Sequence, residues 1–182
     1  GDQRRDDAFS ACFDSAALDL TDIVGAPVLT LKLRSDKPQA QVAVRLNHIH
    51  PDGASTRITW GVLNLTHRDS HEFPQKLTPG QEIEVRIALD HIAYRLPAGH
   101  RLRVAVSSNY WPMIWPSPEP VALSLSAATL VLPVRPTAGG DEWTFPAPEA
   151  ATPWRTETLR KTASSRIAAR DQATGIVTLT IA

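Results

Sequence analysis

The chain has 182 residues and is 42% hydrophobic, so one domain could bury a core without disulfides or metal. Its 19 basic and 19 acidic side chains cancel, which leaves no strong field to attract nucleic acid or a membrane surface. Cys12 is the only cysteine, which excludes an intrachain disulfide. We interpret it as a buried thiol, a reading that favours a reducing compartment such as the cytoplasm.

Alternating polar and apolar residues predict short strands along most of the chain. These strands cover residues 28–35, 41–49, 56–65, 81–89, 101–107, 121–125 and 129–134. Gly61 predicts a bulge or a close backbone approach, and the aperiodic residues 66–80 predict a long loop. Because helical periodicity is almost absent, the pattern predicts an all-β fold, either an antiparallel sandwich or a barrel.

The stretch 96–116 carries the most information. Pro97-Ala98-Gly99 has turn chemistry, since proline fixes φ and glycine accepts a positive φ. The strand 101–107 should follow at once. Tyr110, Trp111 and Trp115 then lie among prolines that cannot donate to a central strand ladder, which predicts a loop anchored by aromatic rings.

This stretch resembles the C-terminal, non-catalytic domain of X-Pro dipeptidyl-peptidase-like and CocE/NonD family serine hydrolases. The match rests on Gly99-His100-Arg101, the strand Leu102–Ser108 and the Trp-Pro loop. Further matching segments occur upstream, in the order that the family shows. They are Asp6-Asp7, Phe13–Leu18, Gly25-Ala26-Pro27, Val44–Leu46, Pro51-Asp52-Gly53, Leu65–Arg68 and Leu77–Gly80. The resemblance covers about residues 6–135.

The resemblance implies an all-β fold, a jelly-roll-like antiparallel β-sandwich of galactose-binding-like type. This domain would not be an enzyme on its own and would pack on an α/β-hydrolase catalytic domain, where it would shape the active-site wall. Contacts between copies of the chain are a second role open to it. The parent's substrate would be an ester, an amide or an X-Pro peptide. Residues 1–135 would form the sandwich core, and residues 136–182 a surface-packed extension and terminal hairpin of the same domain.

Serine hydrolysis needs a serine on a sharp strand-to-helix turn, usually within Gly-x-Ser-x-Gly. The chain has no such motif, and Ser107-Ser108 is interpreted as a pair of strand-end hydroxyls bonded to backbone. The resemblance likewise implies that the catalytic residues lie outside this chain. We therefore predict no catalytic and no cofactor-binding residue here.

His48 and His50 lie two residues apart on a predicted strand, so they could chelate one metal as cupins do. A cupin also requires a nearby glutamate and a later histidine, and His100 follows Gly99 too early for that pattern. We therefore favour hydrogen-bonded imidazoles and predict no metal ligand, with a cupin-like metalloenzyme as the alternative.

His100 and Arg101 are interpreted as structural. With Gly99 they form one motif, in which His100 fixes the turn and Arg101 makes an ion pair or binds carbonyls. The resemblance makes Tyr110, Trp111 and Trp115 candidate contacts with the missing catalytic domain. The alternative is that the aromatic rings bind sugars and the chain is a free-standing carbohydrate-binding module.

Overall fold

The computed structural model describes residues 1–136 and 143–182. Nearly all regular structure in these residues is β. In chain order the elements are α1 (Arg4–Asp7), β1 (Ala11–Asp14), β2 (Thr21–Gly25), β3 (Val28–Ser35), β4 (Gln41–Ile49), β5 (Ser55–Asn64), a 3-10 turn (Leu65–His67), β6 (Ile83–Ala88), β7 (Ile92–Leu96), β8 (Arg101–Ser107), β9 (Leu123–Val131), β10 (Val134–Arg135), β11 (Arg166–Arg170) and β12 (Val177–Ile181).

The chain divides into two compact units, residues 1–137 and 138–182. In the first unit the strands form a four-stranded sheet, β1-β8-β4-β5, and two three-stranded sheets, β10-β2-β7 and β6-β3-β9. The strand pairings within these sheets, among the described residues, are antiparallel. The predicted all-β antiparallel sandwich is therefore confirmed, whereas the galactose-binding-like assignment stays a prediction.

The hydrophobic core collects the apolar faces of all three sheets, which is the packing that alternation predicts. Leu29, Leu31 and Leu33 of β3 are at most 1% exposed. From the four-stranded sheet, Val44 and Leu46 join the same cluster. Most of the apolar side chains that define the predicted strand faces are thus buried in the core of this unit.

Gly61 lies where another strand approaches closely. A Cβ at this position would stand 2.9 Å from the backbone oxygen of Ala88 and 2.9 Å from Cδ2 of Leu89. The prediction of a close approach is therefore confirmed. The irregularity in the β4–β5 register lies between Leu46 and Asn47, away from Gly61.

Several observed elements near the edges of the fold differ from the predicted strands. Residues 121–125 and 129–134 do not form two strands, because β9 runs through 123–131 and its register against β3 shifts between Lys32 and Leu33. The bulge lets one strand absorb a break in alternation. The short elements α1, β1, β2 and β7 were also not predicted.

In the second unit, β11 and β12 pair antiparallel around the turn 171–175. The segment 143–164 has no regular structure. The predicted extension also spans residues 137–142, which lie outside the described residues.

Candidate functional site

The face of the four-stranded sheet opposite the core is polar, and the N-terminal segment is bonded to it. Arg45 on β4 is 1% exposed, and its guanidinium donates to Gln3 Oε1 at 3.0 Å and to Ser10 Oγ at 2.7 Å. Its Nη2 also lies 3.3 Å from Asp7 Oδ1. These contacts join α1 and its flanking residues to the centre of the sheet.

Asp7 collects several donors besides Arg45. Its carboxylate accepts from Asn47 Nδ2 at 2.9 Å, from Ser55 Oγ at 2.7 Å and from Arg103 Nη1 at 3.1 Å. A buried charge is tolerated only when it is paired and hydrogen-bonded in this way. The sequence marks Asp6-Asp7 only as part of the resemblance, and its pattern does not predict this role of Asp7.

Arg103 makes the stronger ion pair of the two arginines at the start of β8. It donates from Nε to Asp14 Oδ1 at 2.6 Å and from Nη2 to Asp14 Oδ2 at 2.9 Å, a bidentate geometry. These hydrogen bonds lower the pKa of Asp14 below its ordinary value. Arg101, the residue that the sequence singled out, contacts Asp14 Oδ2 once, at 3.5 Å.

The turn before β8 is held by backbone hydrogen bonds. Gly99 has a φ of +82°, as the turn chemistry requires. Its amide donates to the Leu18 oxygen at 2.8 Å, and the Leu18 amide donates to the His100 oxygen at 2.9 Å. The backbone of Gly99 and His100 therefore connects this turn to the segment that follows β1.

Three histidines converge at the end of β4. His48 Nε2 lies 2.5 Å from His100 Nδ1, and its Nδ1 lies 2.7 Å from the Tyr94 hydroxyl. The ring of His50 stacks on that of His48 with centroids 3.9 Å apart. Burial, with smaller contributions from the neighbouring imidazoles, lowers the pKa of His48 to about 4.

The sequence pairs His48 with His50 but leaves His100 out, because the cupin spacing does not fit. The structure brings His100 to them, since β4 pairs with β8 and Ile49 stands opposite Arg101. The signal that could have revealed this was the pairing of two strands about 50 residues apart, which one sequence does not display.

Tyr110 anchors the aromatic loop inside its own unit. It is 7% exposed, and its hydroxyl accepts from Arg57 Nη1 at 2.6 Å. The guanidinium of Arg45 lies over the ring, 5.1 Å from the centroid, and Trp60 packs against it edge-on. The ring thereby joins the loop to the polar face of the sheet.

Trp111 and Trp115 extend from this anchor toward the surface. Their rings meet edge-on with centroids 5.1 Å apart. Trp111 is half-buried, and its indole Nε1 is buried without a hydrogen-bond acceptor among the described residues. Trp115 is 76% exposed, while its backbone oxygen accepts from Gln41 Nε2 at 2.6 Å. Of the three predicted contact residues, Trp115 offers the most accessible surface.

Ser107 Oγ donates to the backbone oxygen of Asn109 at 2.7 Å, which is the behaviour expected of a strand-end hydroxyl. None of the helices in the described residues has the length and apolar character needed to cross a membrane.

The second unit exposes many apolar side chains. Within residues 143–182, Leu179 alone is half-buried and every other residue is exposed. The large hydrophobic side chains exposed by more than half are Trp143, Phe145, Trp154, Leu159, Ile167, Ile176 and Ile181. These side chains are therefore accessible to a partner.

The first unit is thus an antiparallel β-sandwich with a buried ion-pair network and an aromatic loop whose Trp115 is exposed. Family comparison assigns it: the chain belongs to the X-Pro dipeptidyl-peptidase C-terminal non-catalytic domain family, whose model matches residues 1–164. Among curated proteins, none matches the chain significantly.

Solved structures share the fold. An α-amino acid ester hydrolase is 21% identical with a TM-score of 0.69, and the match covers 74% of this chain and 27% of that one. An aminopeptidase from a marine sediment Thaumarchaeota archaeon is 21% identical at a TM-score of 0.58, covering 62% and 20%. A CocE/NonD family hydrolase from Staphylococcus aureus is 16% identical at 0.60, covering 74% and 32%. The chain thus spans a third or less of these proteins.

Proposed function

We propose that this domain packs on an α/β-hydrolase catalytic domain of the same parent chain and forms part of its active-site wall. The observation that carries the proposal is that similar structures contain this fold as only 20–32% of longer hydrolase chains. The catalytic residues would lie in the remaining part. The substrate would be an ester, an amide or an X-Pro peptide.

Two sets of exposed aromatic side chains would be available for contact, Trp115 in the first unit and, separately, the rings of the second unit. Trp115 stands on a loop that Tyr110 holds rigid, so little side-chain entropy would be lost when a partner covers it. In this scheme Tyr110 positions the loop from inside the domain, while Trp111 and Trp115 face the partner. Contacts between copies of the chain are a second proposed role for these exposed aromatic side chains.

The size of the native polypeptide in source cells tests the covalent part of the proposal. An antibody raised against this chain should detect a band several times larger than 19.9 kDa. A band of this chain's own size would contradict it. The next experiment would then be a titration with soluble polysaccharides followed by tryptophan fluorescence, which tests the alternative of a carbohydrate-binding module.

The contact residues are tested in the parent hydrolase. Trp115→Ala should lower the thermal stability of the parent or its kcat/KM, because truncating a buried interface aromatic typically costs about 2 kcal/mol or more. Leu20→Ala is the control, since Leu20 is also exposed, at 58%. Equal behaviour of the two variants would remove Trp115 from the interface.

A further inference from the structure

His48, His50 and His100 form a cluster in which one ligand atom from each side chain lies within 4.8 Å of the others. In residues 1–136 and 143–182 no other group of three or more His, Cys, Asp or Glu side chains meets this geometric test for a metal site.

The backbone holds the three imidazoles in place. His48 lies near the end of β4 and His50 directly follows that strand, so both side chains project on the same side. His100 directly precedes β8, which pairs with β4. The pairing of β4 with β8 therefore brings together the strand ends that carry or adjoin the three histidines.

Neighbouring groups orient the rings as outer-shell partners of a metal site do. The Tyr94 hydroxyl can accept from His48 Nδ1, which leaves the lone pair of His48 Nε2 directed at the cluster. Thr56 Oγ1 lies 3.2 Å from His50 Nε2 and thereby leaves His50 Nδ1 free to bind. The nitrogen of His100 that faces the cluster is Nδ1.

The geometry points to a site for a divalent transition-metal ion, bound by His48 Nε2, His50 Nδ1 and His100 Nδ1, with a fourth position open to water. Three neutral imidazoles suit Zn²⁺, Ni²⁺ or Cu²⁺ better than Mg²⁺ or Ca²⁺. His48 is buried while His50 and His100 are half-buried, so solvent reaches the cluster from one side.

Binding requires a small outward movement. Two nitrogens on a tetrahedral Zn²⁺ stand about 3.3 Å apart, given Zn–N bonds of about 2.0–2.1 Å. His48 Nε2 and His100 Nδ1 are 2.5 Å apart in the present hydrogen-bonded arrangement. A shift of about 0.8 Å by His100, which sits in a turn, would open the space. The bound ion would then cross-link the end of β4 to the start of β8.

The test uses the full, untagged chain after chelator treatment and Zn²⁺ as the probe. Calorimetry should show one Zn²⁺ per chain, Zn²⁺ should raise the Tm, and Co²⁺ should give the visible absorption of a tetrahedral complex. His50→Gln and His100→Gln should each weaken binding at least about 10-fold, because loss of a ligand exceeds the loss of an outer-shell partner.

His91→Gln and the double variant His67→Gln, His71→Gln serve as controls, since His67 and His71 stack on each other away from the cluster. They should bind Zn²⁺ like the unmodified chain. Substoichiometric binding, or unchanged affinity in His50→Gln, would overturn the proposal. So would loss of binding in the His67, His71 variant. If His100→Gln fails to fold, His50→Gln decides, because that side chain is partly exposed and makes fewer contacts.

Discussion

Arg45 and Asp7 form an ion pair whose side chains are only 1% and 5% exposed, with Nη2 3.3 Å from Oδ1. The pair joins β4, at the centre of the sheet, to a four-residue helix near the start of the described chain. Short helices are marginal in water, so α1 depends on such tertiary contacts. Its position on the sheet is therefore set by electrostatics as much as by apolar packing.

Removing this carboxylate should be costly. In Asp7→Ala the buried guanidinium of Arg45 keeps only the half-exposed Asp6 carboxylate, 3.9 Å from its Nη1, as a charge partner, and we expect a loss of about 3 kcal/mol in the free energy of unfolding. Urea denaturation of the Asp7→Ala variant and of the unmodified chain measures this loss. Asp2→Ala is the control because the Asp2–Arg4 pair is exposed, and its loss should leave the free energy of unfolding nearly unchanged. Equal losses in the two variants would contradict the assignment.

Stability should depend on pH through Asp14. Arg103 lowers the pKa of Asp14 in the folded state, so this carboxylate contributes stability above its unfolded pKa of about 3.9. That contribution should disappear as the pH falls from about 5 through the folded pKa. Urea titrations across this range should show a flatter pH dependence for Asp14→Asn than for the unmodified chain. Parallel curves for the two proteins would show that Asp14 is not the group responsible.

Adding one methyl group at Gly61 should destabilise the sandwich. The new Cβ would meet the Ala88 oxygen, which is backbone and cannot rotate away, and we expect a cost of about 1–3 kcal/mol. Val62→Ala, at the neighbouring and 44% exposed position, should change stability by no more than about 0.5 kcal/mol. Thermal unfolding compares the two, and an unaffected Gly61→Ala variant would mean that β5 and β6 can move apart.

The hydroxyl of Tyr110 should matter separately from its ring. Tyr110→Phe removes the acceptor for Arg57 but keeps the ring beneath Arg45 and against Trp60, so we expect a loss of about 1–3 kcal/mol. Tyr110→Leu also removes the aromatic contacts and should cost more. Urea denaturation ranks the two, with near-ultraviolet circular dichroism reporting the environment of Trp60. If both variants retain full stability, the loop does not depend on this anchor.

The sequence predicts the strands with regular alternation well, because each buries one face. The strand predicted at 28–35 matches β3, and its three leucines are buried. The short edge strands β1 and β7 lack enough residues to show a period, so they were missed. The β9 bulge was missed for another reason, since the register shift appears only against its partner strand.

The site was harder to predict than the fold. The pattern drew attention to Arg101, while Arg103 carries the bidentate pair; alternation alone does not tell which arginine faces Asp14. The His48 and His50 pair was recognisable from its spacing. His100 could be joined to it only through the β4–β8 pairing, which is a non-local property.

The terminal hairpin has a thermodynamic consequence of its own. A two-stranded hairpin is marginally stable in water, and the residues of β11 and β12 contribute almost no buried surface in this chain. If a partner surface covers these strands, that contact would supply the free energy that keeps them paired. Hydrogen exchange at their amides would report that occupancy directly, being fast where the hairpin is uncovered and slow where a partner lies against it.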